Sequence, residues 1–285
     1  PSVTASGQIV FASLTENIAI WSLEADRRTA GENLEKVSRS TRHEFTHSVT
    51  PDGRYLASAL SNGRDQDINW RDLGTGKETV IASPASPLWH PQISRDGSRV
   101  AYTDRTADGG IFVKTLSDGS QEKVSASRAY VWDWSPDNSR LLYCKSHLEK
   151  EIWAVHFPSK SNTPFLRHNG FQLLQAKYSP DGEWLAFLAV ASGRTRLFAV
   201  RLQDGLPASG AAWVPLVDEN VWTDKPRWSP DGATLYFVSH RDGHRCIWSQ
   251  KLDPVTKLPI GTPAIVQHFH STRRSLANVP IYKLE

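Results

Sequence analysis

Histidine is the residue type in this sequence best suited to chemistry, because its neutral imidazole moves protons near neutral pH and ligates metals. Ten are present among 285 residues. His43, His47 and His90 stand near the starts of short apolar runs, and with His168 they form the candidate metal set if their segments converge. No two share a ligand spacing that recurs along the chain, so exposed or hydrogen-bonded strand-edge histidines remain the other reading. At comparable positions lie Glu44, Thr46, Trp89, Trp132, Asp133, Gln175, Trp222, Asp224 and Lys225. Aromatic rings that give contact area, next to charges that give orientation, suit the end of a peptide or a glycan.

Local catalytic signatures are missing. The chain has no G-x-S-x-G elbow, no H-E-x-x-H, no G-x-x-x-x-G-K-[ST] and no kinase loop. Groups gathered from distant segments leave no such signature, so a metal-assisted lyase or hydrolase acting on saccharides stands as the alternative to a non-catalytic binding platform. Cys144 and Cys246 lack C-x-x-C partners, which argues against a zinc site or a redox motif and for buried free thiols.

Charge narrows the partners. The 33 Lys and Arg are interspersed with 30 Asp and Glu for a net charge of +3, and the densest basic spots, Arg27-Arg28 and Arg273-Arg274, are only pairs. That distribution predicts no nucleic-acid partner. No apolar run approaches the roughly 18 residues of a bilayer span, so no membrane insertion is expected. No cofactor is expected either. The start at Pro1 and the absence of Met read as an excised or processed part of a larger protein, and together with only two Cys they favour the periplasm or cell exterior.

The elements that must hold these residues repeat. Thr50-Pro51-Asp52-Gly53, Ser94-Arg95-Asp96-Gly97, Ser135-Pro136-Asp137-Asn138, Ser179-Pro180-Asp181-Gly182 and Ser229-Pro230-Asp231-Gly232 recur at about 41 to 50 residues, the length of a four-stranded propeller blade; Thr4-Ala5-Ser6-Gly7 is a weaker sixth copy. Ser or Thr can hold a free amide, Pro presets φ, Asp tolerates the third position, and Gly, or Asn138, takes positive φ. Each turn is followed by a short strand such as Val100-Ala101-Tyr102 or Leu185-Ala186-Phe187, then by a second aromatic strand such as Ile152-Trp153-Ala154. The bulky residue before each turn, Val49, Ile93, Trp134, Tyr178 or Trp228, is expected to pack between neighbouring blades.

These turns and their flanking strands resemble the WD40-like (PD40) repeats of TolB-type propellers over nearly the whole chain. More narrowly, the stretches Gly7 to Ser13 and Phe269 to Leu276 resemble propellers at the C-terminal ends of bacterial receptor-like serine/threonine kinases and winged-helix regulators. The resemblance implies an all-β, six-bladed ring that binds a peptide, protein or small ligand without chemistry, as the sensor or scaffold part of a larger bacterial protein. The expected organisation is one domain over 1–285 with repeats at about 1–40, 41–83, 84–125, 126–168, 169–219 and 220–270. Residues 271–285 would close the ring by supplying a strand to the first blade, which removes an open sheet edge. The funnel is then lined by His43, Glu44, Thr46, His47, Trp89, His90, Trp132, Asp133, Gln175, Trp222, Asp224 and Lys225.

Overall fold

The computed structural model describes residues 2–3, 9–10, 18–23, 34–61, 66–83, 87–126, 129–146, 148–208 and 212–270. Within them the short β-branched and aromatic runs form antiparallel strands, and the described residues contain no helix. Five four-stranded blades follow one another. Blade A consists of His43–Val49, Tyr55–Ser61, Gln66–Asp72 and Glu78–Ala82. Blade B consists of Leu88–Ile93, Arg99–Asp104, Gly110–Thr115 and Gln121–Ser125. Blade C consists of Tyr130–Trp134, Arg140–Cys144, Glu151–His156 and Ser161–Arg167. Blade D has Gln172–Tyr178, Trp184–Ala191, Arg194–Gln203 and Val214–Val217, with Leu206–Pro207 also paired to its third strand. Blade E has Thr223–Trp228, Thr234–Ser239, Cys246–Leu252 and Pro259–Gln267. The first strand of each blade lies against the first strand of the next, from A through E, so these strands are innermost.

Six four-stranded blades were expected, and the described residues form five. Residues before blade A contribute two two-stranded pairs, Ser2–Val3 with Ile9–Val10 and Trp21–Ser22 with Glu35–Lys36. The weak turn copy at 4–7 and the closing strand expected from 271–285 lie outside the described residues. A physical reason is visible in the five full turns. In each, the Ser or Thr hydroxyl donates to the Asp carboxylate, as in Thr50 to Asp52 (2.5 Å) and Ser94 to Asp96 (2.6 Å). The same hydroxyl oxygen accepts the amide five residues on, at 2.9 to 3.0 Å. The copy at 4–7 has Ser6 where the others have Asp, so it lacks that carboxylate.

The pre-turn residues pack as inter-blade wedges, with one exception. Ile93, Trp134 and Tyr178 are buried against the preceding blade's strands. Trp228 is half-buried against blade D. Val49 is 45% exposed, because among the described residues no four-stranded blade precedes blade A. Cys144 and Cys246 are both buried free thiols.

Candidate functional site

Every innermost strand carries one extra residue at the same place. Phe45 and His47 oppose the adjacent pair Ala59 and Ser58, so Thr46 is the residue in excess. The same step occurs at His90-Pro91, Trp132, Gln175-Ala176 and Lys225-Pro226. Such bulges kink a strand and re-aim its side chains. At four of the five the backbone enters the left-handed region at a residue with a side chain: Thr46 (φ 37°), His90 (54°), Gln175 (54°) and Lys225 (58°). Each costs on the order of 1–3 kcal/mol, a strain that collects at functional sites. Thr46 Oγ1 and His90 Nε2 are buried there without a hydrogen-bond partner among the described residues.

Beyond each bulge, one residue before the bulky wedge, the five blades present Ser48, Gln92, Asp133, Lys177 and Arg227. Lys177 Nζ donates to Gln92 Oε1 at 3.0 Å and to the Trp132 carbonyl, and lies 3.7 Å from Asp133 Oδ1. Gln92 is in blade B and Lys177 in blade D, so this bond reaches past blade C. Arg95 joins Asp133 at 2.9 Å. Some residues in this layer also tie blades together: Ser48 Oγ accepts the Ile93 amide (3.1 Å) and Asp133 Oδ2 accepts the Tyr178 amide (3.0 Å).

The electrostatics are those of a crowded, desolvated polar layer. Desolvation pulls Lys177 down to about 7; Asp133 opposes the fall, and Arg227 and Arg95 add to it. Desolvation also lowers the Arg227 guanidinium, although its side chain is exposed; Asp133 and Asp224 oppose the fall and Arg95 adds to it. His47 is likewise water-accessible, yet desolvation and then the Arg227 charge bring it down to about 4. His90 falls to about 3, first through burial and then through Arg105 and Lys177. Both imidazoles are therefore neutral at physiological pH. Arg95, Lys177 and Arg227 stand near Asp133, and Asp224, itself paired with Lys225 and Arg245, also acts on Arg227, so cations outnumber carboxylates in this layer.

The residues expected to line the funnel divide into several groups. Thr46, His90, Gln175 and Lys225 sit on the bulges, and Gln175 Oε1 accepts the Lys225 amide at 2.5 Å. Asp133 belongs to the charged layer, and His47 stands next to its blade A member Ser48, where Arg227 and Lys177 act on it. Trp89 and Trp132 border the His90 ring, at 6.1 and 5.9 Å between centroids, with Trp132 stacked on Tyr130. Trp222 is half-buried, and its carbonyl accepts the His240 amide. Glu44 is fully buried and committed to Arg71 (3.3 Å) and the Ser58 hydroxyl (2.6 Å), so it belongs to the interior of blade A and not to the funnel. Asp224 is buried between Arg245 (3.0 Å) and Lys225 (2.9 Å). His43 Nδ1 accepts the Ile18 amide, and His168 Nδ1 accepts the Gly170 and Phe171 amides.

The four histidines His43, His47, His90 and His168 do not assemble as a metal-ligand group. Among the described residues the only group of three or more potential ligands is in blade E. Sequence reasoning missed Gln92, Arg95, Lys177 and Arg227. Three of these share one repeat offset, immediately before the wedge residue, where changing polar identity in a fixed frame was the available signal. A surface cavity of about 480 Å³ lies elsewhere, between blades B and C, lined by Tyr143, Lys145, Trp153 and Asn162 among others.

The fold is a TolB-like β-propeller. The structure aligns with a putative TolB from Agrobacterium tumefaciens at TM-score 0.65, with 19% identity over 82% of this chain and 84% of that one. The same architecture aligns with an oligogalacturonate lyase in complex with manganese at TM-score 0.56, 17% identity, 78% of this chain and 69% of that one. In sequence the TolB-like propeller is 23% identical over 219 residues to the Tol-Pal system protein TolB of Francisella tularensis, covering 73% of this chain and 48% of that protein. It is 26% identical over 203 residues to an uncharacterized protein of Agrobacterium fabrum, covering 67% of this chain and 64% of that one. The chain thus spans about half to two thirds of the length of these curated relatives. No known family profile matches it.

Proposed function

We propose that this TolB-like propeller is a non-catalytic binding platform whose axial channel receives a carboxylate carried by a peptide or partner protein. The observation that carries the reading is the gathering of Arg95, Lys177 and Arg227 from three blades around Asp133, where cations outnumber carboxylates even with Asp224 counted. A carboxylate entering the channel supplies the missing negative charge, and the low local dielectric strengthens that pairing relative to bulk water. Trp89 and Trp132 add apolar area beside the charge. The residues we assign to contact are Thr46, His47, His90, Asp133, Gln175 and Lys225 from the sequence reading, joined by Gln92, Lys177 and Arg227. We further propose that the propeller serves as the sensor or scaffold part of a larger bacterial protein outside the cytoplasm; its likeness to part of a Tol-Pal system protein supports this.

The saccharide lyase or hydrolase alternative has less support. It needs several imidazoles at one ion, and among the described residues the four candidates form no ligand group. The deciding experiment measures thermal stabilisation and tryptophan fluorescence of the chain with acidic peptides and with their amidated, neutral counterparts. Stabilisation by the acidic set alone, lost in Lys177→Gln and Arg227→Gln, supports the reading. Equal stabilisation by neutral peptides, or stabilisation retained in both variants, overturns it.

A further inference from the structure

Far from the channel layer, the Ser239 to Cys246 turn of blade E meets the end of that blade's outer strand. Asp242 Oδ2 is 2.7 Å from His270 Nε2 and 3.0 Å from His268 Nδ1, and the two ring nitrogens are 3.2 Å apart. The buried Cys246 completes the set, with all four ligand atoms within 4.8 Å of one another. Local structure explains the meeting. Asp242 Oδ1 accepts the His244 amide, which fixes the turn, and Gly243 takes φ 85° beside it. Ile247 pairs with Gln267, which brings the preceding Cys246 alongside His268. His268 and His270 follow directly on the outer strand, and both turn a ring nitrogen to Asp242. The His244 ring stacks on His270 at 4.1 Å.

The cluster combines the donor types of a cation site. Two imidazole nitrogens and a thiol all face one carboxylate, and the thiol is raised by burial and by its bond to Asp242. A tetrahedral Zn²⁺ at about 2.0–2.3 Å from each donor sets the donor atoms about 3.3–3.7 Å apart. The triangle of 2.7, 3.0 and 3.2 Å already approximates one face of that tetrahedron, and the sulfur closes it from the buried side. One thiolate, two imidazoles and one carboxylate suit zinc, whereas Mg²⁺ and Ca²⁺ take oxygen donors.

We propose that Asp242, Cys246, His268 and His270 bind one Zn²⁺ that cross-links the turn of blade E to the end of its outer strand. Four protein donors leave no open coordination position, so the ion is structural and not hydrolytic. Binding releases the Cys246 proton to solvent and leaves zinc thiolate.

The test titrates the metal-stripped chain with zinc chloride by calorimetry and follows the melting temperature. One ion per chain, a raised melting temperature, and at least tenfold weaker binding in His268→Ala/His270→Ala and in Cys246→Ser are expected. Cobalt substitution should give a tetrahedral spectrum with a thiolate charge-transfer band that Cys246→Ser removes. X-ray absorption on the zinc-loaded, unsubstituted chain reads the ligands without depending on any variant's folding: one sulfur at about 2.3 Å with three nitrogen or oxygen neighbours supports the site. A zinc shell without sulfur, or affinity unchanged in the double variant, overturns it.

Discussion

Glu44 and Lys177 are both buried charged side chains, yet they serve different ends. Glu44 has its charge matched by Arg71 and Ser58 inside blade A, and Arg71 is held further by Glu78 and the Val37 carbonyl. Glu44→Ala leaves a buried guanidinium with one of its two carboxylates gone, and should lower unfolding free energy by about 3 kcal/mol in urea titrations. Lys177 is less fully compensated. Its folded pKa of about 7 means that it is charged below that pH and neutral above it. Affinity for an acidic peptide should therefore fall by up to about tenfold per pH unit above pH 7, while the peptide carboxylate stays ionised. His47, near 4, and His90, near 3, stay neutral throughout that range and contribute no slope. A pH titration of peptide affinity in which Lys177→Gln flattens the profile checks this.

At the scale of the element, two departures from the turn pattern prove to be a single contact. Arg95 replaces Pro in the turn of blade B, and Asn138 replaces Gly in the turn of blade C. The Arg95 amide, which Pro would lack, donates to Asn138 Oδ1 at 2.7 Å, and Asn138 holds φ 59°. Each oddity accounts for the other. Arg95→Pro and Asn138→Gly should each destabilise, and the double variant should lose less than the sum, with a coupling of about 0.5–1.5 kcal/mol in a double-mutant cycle. An additive double variant would refute the pairing. The turns themselves were legible in sequence because their requirements are local: a hydroxyl, a carboxylate two residues on, and a residue able to adopt positive φ. The Arg95–Asn138 bond was not, because its partners are 43 residues apart and meet only once blades stack. Lys177 and Arg227 were hidden for a related reason. The bulge shifts which strand residue faces the axis, and no turn or periodicity marks that shift. The blade E cluster escaped a search for C-x-x-C because a turn and a strand end some twenty residues apart supply its members.

Across the whole molecule, the channel sets function against stability. Lys177 joins blades B, C and D through Gln92, Trp132 and Asp133, but at neutral pH it does so as a desolvated cation. A folded pKa of about 7 against an ordinary 10.5 means the unfolded chain binds the proton more tightly. The cost is full below pH 7 and is relieved as pH rises from 7 towards 10.5. At pH 7 it is on the order of 4 kcal/mol. Lys177→Met removes that cost and forfeits two hydrogen bonds, while Asp133 keeps Arg95 and the Tyr178 amide. The variant should therefore melt higher than the parent near neutral pH, and its advantage should shrink as the pH approaches 10.5. The same variant should lose stabilisation by acidic peptides, because the charge that burdens the fold is the one a carboxylate ligand would neutralise. Melting curves of parent and variant across that pH range, with and without peptide, test both halves together. A variant that melts lower at neutral pH would mean that Lys177 is held as a net stabilising inter-blade tie, and its burial would then be no argument for a ligand.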